Sequence, residues 1–158
     1  MDSAIYIGAD HAGYALKQHL LHNLSHKYNI IDLTPDYIEG DDYPDVAKKV
    51  ANRVAKEKAR AILLCGSAEG MCIAANKIKS IRAIVAFNEE VACLTRQHDD
   101  ANILCLSGGQ FLEPSARKLL KPMPVQTAVN IVNTFLTTKF SGQERHARRI
   151  AKIAALEK

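Results

Sequence analysis

Three groups of residues in this 158-residue chain have the types and spacing to do chemistry. The run AILLCGSAEGMCIAANK (61–77) ends an apolar stretch in a thiol, Cys65, and continues through Gly66, Ser67, Ala68, Glu69 and Gly70 toward a helix. A loop of small residues at a helix start turns backbone amides toward an anion, and a thiol at its entrance becomes a base or nucleophile once ionised. GADHAG (8–13) sets Asp10 and His11 just after another apolar run, a carboxylate and an imidazole suited to proton transfer. RQHDDAN (96–102) offers His98 and Asp99 ahead of a third. Arg145 and Arg149 are four apart, so one helical face carries both and both can grip one phosphate.

Each group also has a plainer reading. Cys65 at a strand end can be a small core hydrophobe, and Gly66 and Ser67 can be turn residues. Asp10 can cap the first helix, His98 can sit exposed at a helix end, and the two arginines can be a solvated face. His19, His22, His26 and His146 read as surface residues. Known loop patterns fail on paper. A Cys-x5-Arg phosphatase loop needs arginine where Met71 stands, GxxxxGK[ST] lacks its Gly-Lys pair, and GxGxxG is broken at Ser67 and Ala68.

The elements that must position these groups alternate. Residues 3–9, 29–33, 60–65, 82–87 and 102–106 are short apolar runs that read as strands. Between them lie segments of helical period. Leu16, Leu20 and Leu24 form one stripe and Val46, Val50 and Val54 another, while further helices start near Met71 and Asn88. The alternation predicts a doubly wound three-layer αβα sandwich on a five-stranded parallel sheet, in one domain over 1–158. Ligands of such a sheet bind beyond the carboxyl ends of the strands, where the Cys65, Asp10 and His98 segments are expected to meet. After the last strand the pattern predicts a short helix at 115–120, interrupted by Pro122 and Pro124, a helix over 125–138 and a final one over about 143–156. These C-terminal helices are expected to lie outside the sheet and reach a partner subunit.

Composition narrows the function. With 47% hydrophobic and 24% charged residues the chain reads as a soluble globular protein, with no membrane span and no signal peptide. Cys65, Cys72, Cys93 and Cys105 lack metal-ligand or disulfide spacing, so reduced thiols of a cytoplasmic protein are expected. A net charge of +4, few aromatics and a compact basic cluster at 145–152 argue against nucleic acid and suit a phosphorylated metabolite.

GADHAGYALK (8–17), DYPD (42–45), LLCGSAEGMCIAANK (63–77), IRA (81–83), RQHDDANIL (96–104) and RHARR (145–149) together resemble the type B ribose-5-phosphate isomerases and their sugar-phosphate isomerase relatives. The resemblance implies isomerisation of an aldose to a ketose through an enediolate, without metal or cofactor. Cys65 would be the base, its thiol made more acidic by helix and loop amides. Ser67 and the amides around Gly66, Ala68, Glu69 and Gly70 would hold the enediolate oxygen. His98 would open the sugar ring and Asp10 would sit beside the ring oxygen. His11, Arg145 and Arg149 would hold phosphate, and Tyr43 would line the sugar site. A homodimer or homotetramer with shared sites is implied.

Three departures from the family pattern bear on activity. Ala68 stands at a usual glycine with Glu69 adding a charge that must point outward, Asp99 stands at a usual asparagine, and Gln110 is the nearest polar group where an arginine is usual. Ribose 5-phosphate and ribulose 5-phosphate are the expected pair. The alternatives are a six-carbon substrate, such as galactose 6-phosphate or allose 6-phosphate, and a catalytically impaired sugar-phosphate-binding homologue.

Overall fold

Alternating side chains of five strands feed two separate apolar layers. The computed structural model describes residues 4–111, 113, 115 and 120–157. The strands β1 (Ile5–Ala9), β2 (Ile30–Asp32), β3 (Arg60–Cys65), β4 (Ala83–Val85) and β5 (Ile103–Ser107) form one parallel sheet in the order β2-β1-β3-β5-β4. Because side chains alternate along a strand, Ile5, Ile7, Ile62, Leu64, Leu104 and Leu106 face one way and Tyr6, Leu63, Cys65, Ile103 and Cys105 the other.

The first face is covered by α1 (Tyr14–Leu24), α4 (Glu89–Asp99) and α5 (Val125–Thr137), the second by α2 (Tyr43–Glu57) and α3 (Glu69–Ala75). Val46, Val50 and Val54 are the buried stripe of α2, whose first turn holds Pro44, where a missing N–H costs nothing. Asn88 accepts from the Val91 amide and starts α4. The helix α5 departs from the expectation of an appendage. Ala128, Ile131, Val132, Phe135 and Leu136 of α5 are buried in the first core layer, so α5 completes the sandwich. Among the described helices only α6 (Glu144–Ala154) lies outside the layers, packed on α4. The short helix expected at 115–120 falls mostly outside the described residues. No described helix is long and apolar enough to cross a membrane.

The chain moves one way from β1 to β2 and the other way to β3. The strand order therefore reverses between β1 and β3, and the crevice where such sheets bind ligands opens there. One buried ion pair holds that end of β1. Lys17 is fully buried, with Nζ 2.9 and 3.1 Å from the two Asp32 carboxylate oxygens and also donating to the Thr34 carbonyl. Thr34 Oγ1 in turn accepts from the Ala9 amide at 2.9 Å. Removing one partner of such a pair strands the other charge in the core, so Asp32→Ala is expected to cost about 3–5 kcal/mol. Urea unfolding at pH 7 measures it; a loss under 1 kcal/mol would mean the network does not hold the strand end.

Candidate active site

Cys65 is the last residue of β3 and borders the switch-point crevice, with 4% of its surface exposed. Its sulfur is not enclosed by aliphatic groups alone. The Ala68 amide donates to Sγ at 3.2 Å, and the Met71 and Ser67 amides also bond to it. Across the crevice Asp10 follows β1. Its amide donates to the Leu64 carbonyl at 3.2 Å, and its Oδ1 accepts from the Ala12 and Gly13 amides at 3.0 Å each. Asp10 thus ties the turn into α1 while its charge reaches the Cys65 sulfur. Gly13 begins that helix in close contact with β3, where an added Cβ would lie 2.4 Å from the Leu64 carbonyl.

The loop between β3 and α3 is bracketed by two rings. A Cβ at Gly66 would lie 2.3 Å from the Phe111 ring, and one at Gly70 would lie 2.7 Å from the Tyr43 ring. Asp10, His11, Asp41, Tyr43 and Phe111 line a cleft of about 350 Å³ between these rings. Tyr43 is therefore a wall of the cleft. His11 is fixed by Asp41, whose Oδ1 accepts from the His11 amide at 2.7 Å and lies 3.0 Å from Nδ1. Ala68 adopts φ 80°, a conformation that glycine takes freely and alanine does not. Glu69 is exposed.

Burial sets the local proton affinities. Asp10 is pushed up to about 6, chiefly by desolvation and against the pull of the Gly13 amide. For Cys65 the sequence implied a more acidic thiol; the structure gives the reverse. Desolvation raises it, the Asp10 charge adds to the rise, and the three amides offset only part of both. In the isolated chain the resting sulfur is a thiol.

The second correction concerns His98. Each crossover helix carries the chain from the carboxyl edge of the sheet back to the amino edge, and His98 lies in the last turn of α4. Arg82, just before β4, donates to the Asp99 and Asp100 carbonyls, and Asn102, just before β5, bonds to the Arg82 amide at 2.8 Å. His98 and exposed Asp99 therefore stand at the amino edge, the far end of the sheet from Cys65. There the His98 ring packs against that of His146, with centroids 4.3 Å apart and planes tilted by 42°.

His146, read from sequence as a surface residue, is buried and bonds to Ser141 Oγ at 2.8 Å through Nδ1. Desolvation, His98 and the flanking Arg145 and Arg149 hold its imidazole below the ordinary value. Arg145 and Arg149 are exposed beside this pair and make no hydrogen bond or ion pair among the described residues. One chain thus holds two constellations at opposite edges. Cys65, Ser67, Asp10, His11 and Tyr43 form one; His98, His146, Arg145 and Arg149 form the other. Gln110, also exposed, uses its amide to bond the Ala12 carbonyl at 3.3 Å on the first edge.

Sequence reasoning missed Asp41, Phe111, Lys17 and His146. The paired acids before Tyr43 were the available signal for Asp41; nothing local distinguished His146 from the other histidines.

The model of the ribose/galactose isomerase family matches residues 5–153. A probable ribose-5-phosphate isomerase B of Mycoplasma genitalium is 42% identical over all of this chain and 98% of its own length. The ribose-5-phosphate isomerase B of Mycobacterium tuberculosis is 36% identical over 98% of this chain and 90% of that protein. Among solved structures, the Mycoplasma genitalium enzyme with bound ribulose-5-phosphate superposes with a TM-score of 0.85 at 40% identity, covering 99% of this chain and 97% of that one. The Trypanosoma brucei type B ribose 5-phosphate isomerase gives 0.87 at 36%, covering 99% and 100%.

The raised Asp10 carboxyl has a signed consequence. The folded state binds this proton more tightly than the unfolded chain, from 3.8 to about 6, so its stabilising contribution is complete below pH 3.8 and lost as pH rises through about 6. The unfolding free energy of the parent relative to Asp10→Asn is expected to fall between pH 4 and pH 7. A difference flat across that range would contradict the burial of this carboxyl.

Proposed function

The chain belongs to the ribose/galactose isomerase family, and on that premise we propose that it interconverts ribose 5-phosphate and ribulose 5-phosphate, a step of the pentose phosphate pathway. The observation that carries the reading is the Cys65 sulfur, set against the Ser67, Ala68 and Met71 amides and beside Asp10 at the switch point of the sheet. Cys65 takes the proton from C2 of the open-chain aldose and returns it to C1. The negative charge that develops on the substrate oxygen meets the amides of the loop from Gly66 to Gly70, which are already oriented by the start of α3. His11, held by Asp41, lines the same cleft and would contact the phosphate there.

The raised Cys65 thiol fits a base that ionises only in the substrate complex. Asp10 opposes the thiolate when its own charge is unsatisfied. A sugar hydroxyl donating to Asp10 offsets that charge and lowers the cost of the thiolate at the moment of proton transfer.

The second constellation belongs to the same reaction across a subunit boundary. His98 opens the furanose ring, and Arg145 and Arg149 hold the phosphate of a sugar seated at another copy's Cys65. The working enzyme is then a homodimer or homotetramer with shared sites, using α6 and the end of α4 as contact elements, and it acts in the cytoplasm.

Assays with ribose 5-phosphate, galactose 6-phosphate and allose 6-phosphate side by side are expected to show the five-carbon substrate turned over fastest. Cys65→Ala should lower kcat by roughly 10²–10⁴ with the fold intact, the range for loss of a positioned base. A Cys65→Ala protein that keeps its rate would overturn the assignment. Arg149→Ala is expected to raise KM by about 10-fold or more, since a charged contact to phosphate is worth about 1.5–3 kcal/mol. An unchanged KM would remove this arginine from the phosphate site.

A further inference from the structure

The amino edge of the sheet holds a cavity that the proposed isomerisation leaves unused. Its volume is about 440 Å³, and it lies where three strands begin. Arg60 opens β3, Arg82 directly precedes β4 and Asn102 directly precedes β5. Lys58 at the end of α2 and Arg96 of α4 complete the charged wall, and Val54 and Ala55 of α2 form an apolar side. Among the described residues, His98, His146, Arg145 and Arg149 do not line it, and Cys65 stands at the opposite end of β3.

Four cations, Lys58, Arg60, Arg82 and Arg96, share this cavity with one carboxylate, Asp100. Asp100 is already divided between two of them. Its Oδ1 accepts from Arg96 Nη1 at 2.7 Å and its Oδ2 from Arg82 Nη2 at 3.0 Å. Arg96 is further committed to the Ala101 carbonyl at 2.6 Å and lies over the Phe135 ring. Arg60 uses only Nη1, on the Leu136 carbonyl, and Arg82 uses Nε and Nη2, on Asp99 and Asp100. Arg60 Nη2, Arg82 Nη1 and Lys58 Nζ have no acceptor among the described residues. No buried side-chain nitrogen among the described residues lacks a partner, so both guanidinium nitrogens open on accessible space; Lys58 is exposed. Glu157 accepts from the Ser80 amide at the rim but does not line the cavity. From this placement we propose that the cavity is an oxyanion site, which takes the phosphoryl group of free phosphate or of a small phosphorylated metabolite.

The chemistry selects that ligand class. Guanidinium forks match the oxygens of a phosphoryl group, and an ammonium adds a point charge without demanding geometry. A half-buried arginine without a matching anion is held at a cost. Burial and the Arg96 charge both pull Arg60 below its ordinary value, and Asp100 restores only part. A dianion offsets most of the charge excess that one carboxylate leaves. The volume falls in the range of small-molecule sites, about 300–1,000 Å³, so an organic portion has room beside Val54 and Ala55.

The test titrates the whole protein calorimetrically at low ionic strength with two probes, inorganic phosphate and glycerol 3-phosphate. Arg60→Gln is expected to weaken one binding event by about 10-fold or more, the loss typical of a charge-assisted contact. Lys58→Gln, at an exposed position, should weaken the same event less and guards against misfolding of the first variant. Both variants should keep the parental KM for ribose 5-phosphate, which separates this cavity from the catalytic phosphate site. An Arg60-dependent event with inorganic phosphate identifies a free oxyanion as sufficient; one seen only with glycerol 3-phosphate identifies a phosphorylated metabolite. Crystals soaked in tungstate should show anomalous density between Arg60 and Arg82. The proposal is overturned if both variants bind both probes as the parent does, or if tungstate occupies only other places. It is equally overturned if KM rises in step with the lost binding, since the anion would then be the one at the catalytic site.

Discussion

A parallel sheet has two unlike edges, and every crossover helix carries the chain from one to the other. That constraint decides what a single copy of this chain can assemble. Residues that directly follow a strand, as Asp10 follows β1 and Cys65 ends β3, collect at the carboxyl edge. Residues that end a crossover helix, as His98 ends α4, collect at the amino edge whatever their chemistry. The order β2-β1-β3-β5-β4 then chooses which strand ends share a crevice. Only β1 and β3 flank the reversal, so the carboxylate and the thiol that reach it are the two carried at their tips.

At that point burial and hydrogen bonding oppose each other. Desolvation disfavours both the Cys65 thiolate and the Asp10 carboxylate, and the Asp10 charge disfavours the thiolate further. Amides of the β3–α3 loop and of the turn into α1 act against this without cancelling it. The pocket is thus unfavourable for a resting anion and furnished for a transient one. The rest of the carboxyl edge supports that arrangement. Tyr43 and Phe111 hold the loop from two sides, the Lys17–Asp32 pair holds the end of β1, and Asp41 holds His11.

Much of the scaffold was legible in the sequence because its signals are local. Apolar runs at 60–65 and 102–106 and the valine stripe of α2 gave strand and helix positions within a residue or two. The loop from Cys65 to Gly70 and the Asp10–His11 turn were legible because both follow buried strands. What was not legible depends on three-dimensional placement. His98 was assigned to the wrong edge because helix direction was not followed to its end. His146 was taken for a surface residue because one imidazole among exposed arginines carries no mark of the ring packed on it. The apolar face of α5 was read as available to a partner, although α1 and α4 leave room on the sheet for it. The acidity of Cys65 was inferred from amides alone, and burial, which sequence does not measure, proved larger.

The division of the constellations between two edges is the claim on which the functional account turns, and subunit mixing tests it most directly. Cys65→Ala and His98→Ala proteins, each inactive and each folded, would be unfolded together, refolded and assayed with ribose 5-phosphate. If one copy's thiol works with another copy's imidazole, hybrid dimers contain one intact site and the mixture recovers about a quarter of parental activity. A mixture as inactive as its components, with hybrid assemblies demonstrably present, would contradict the account.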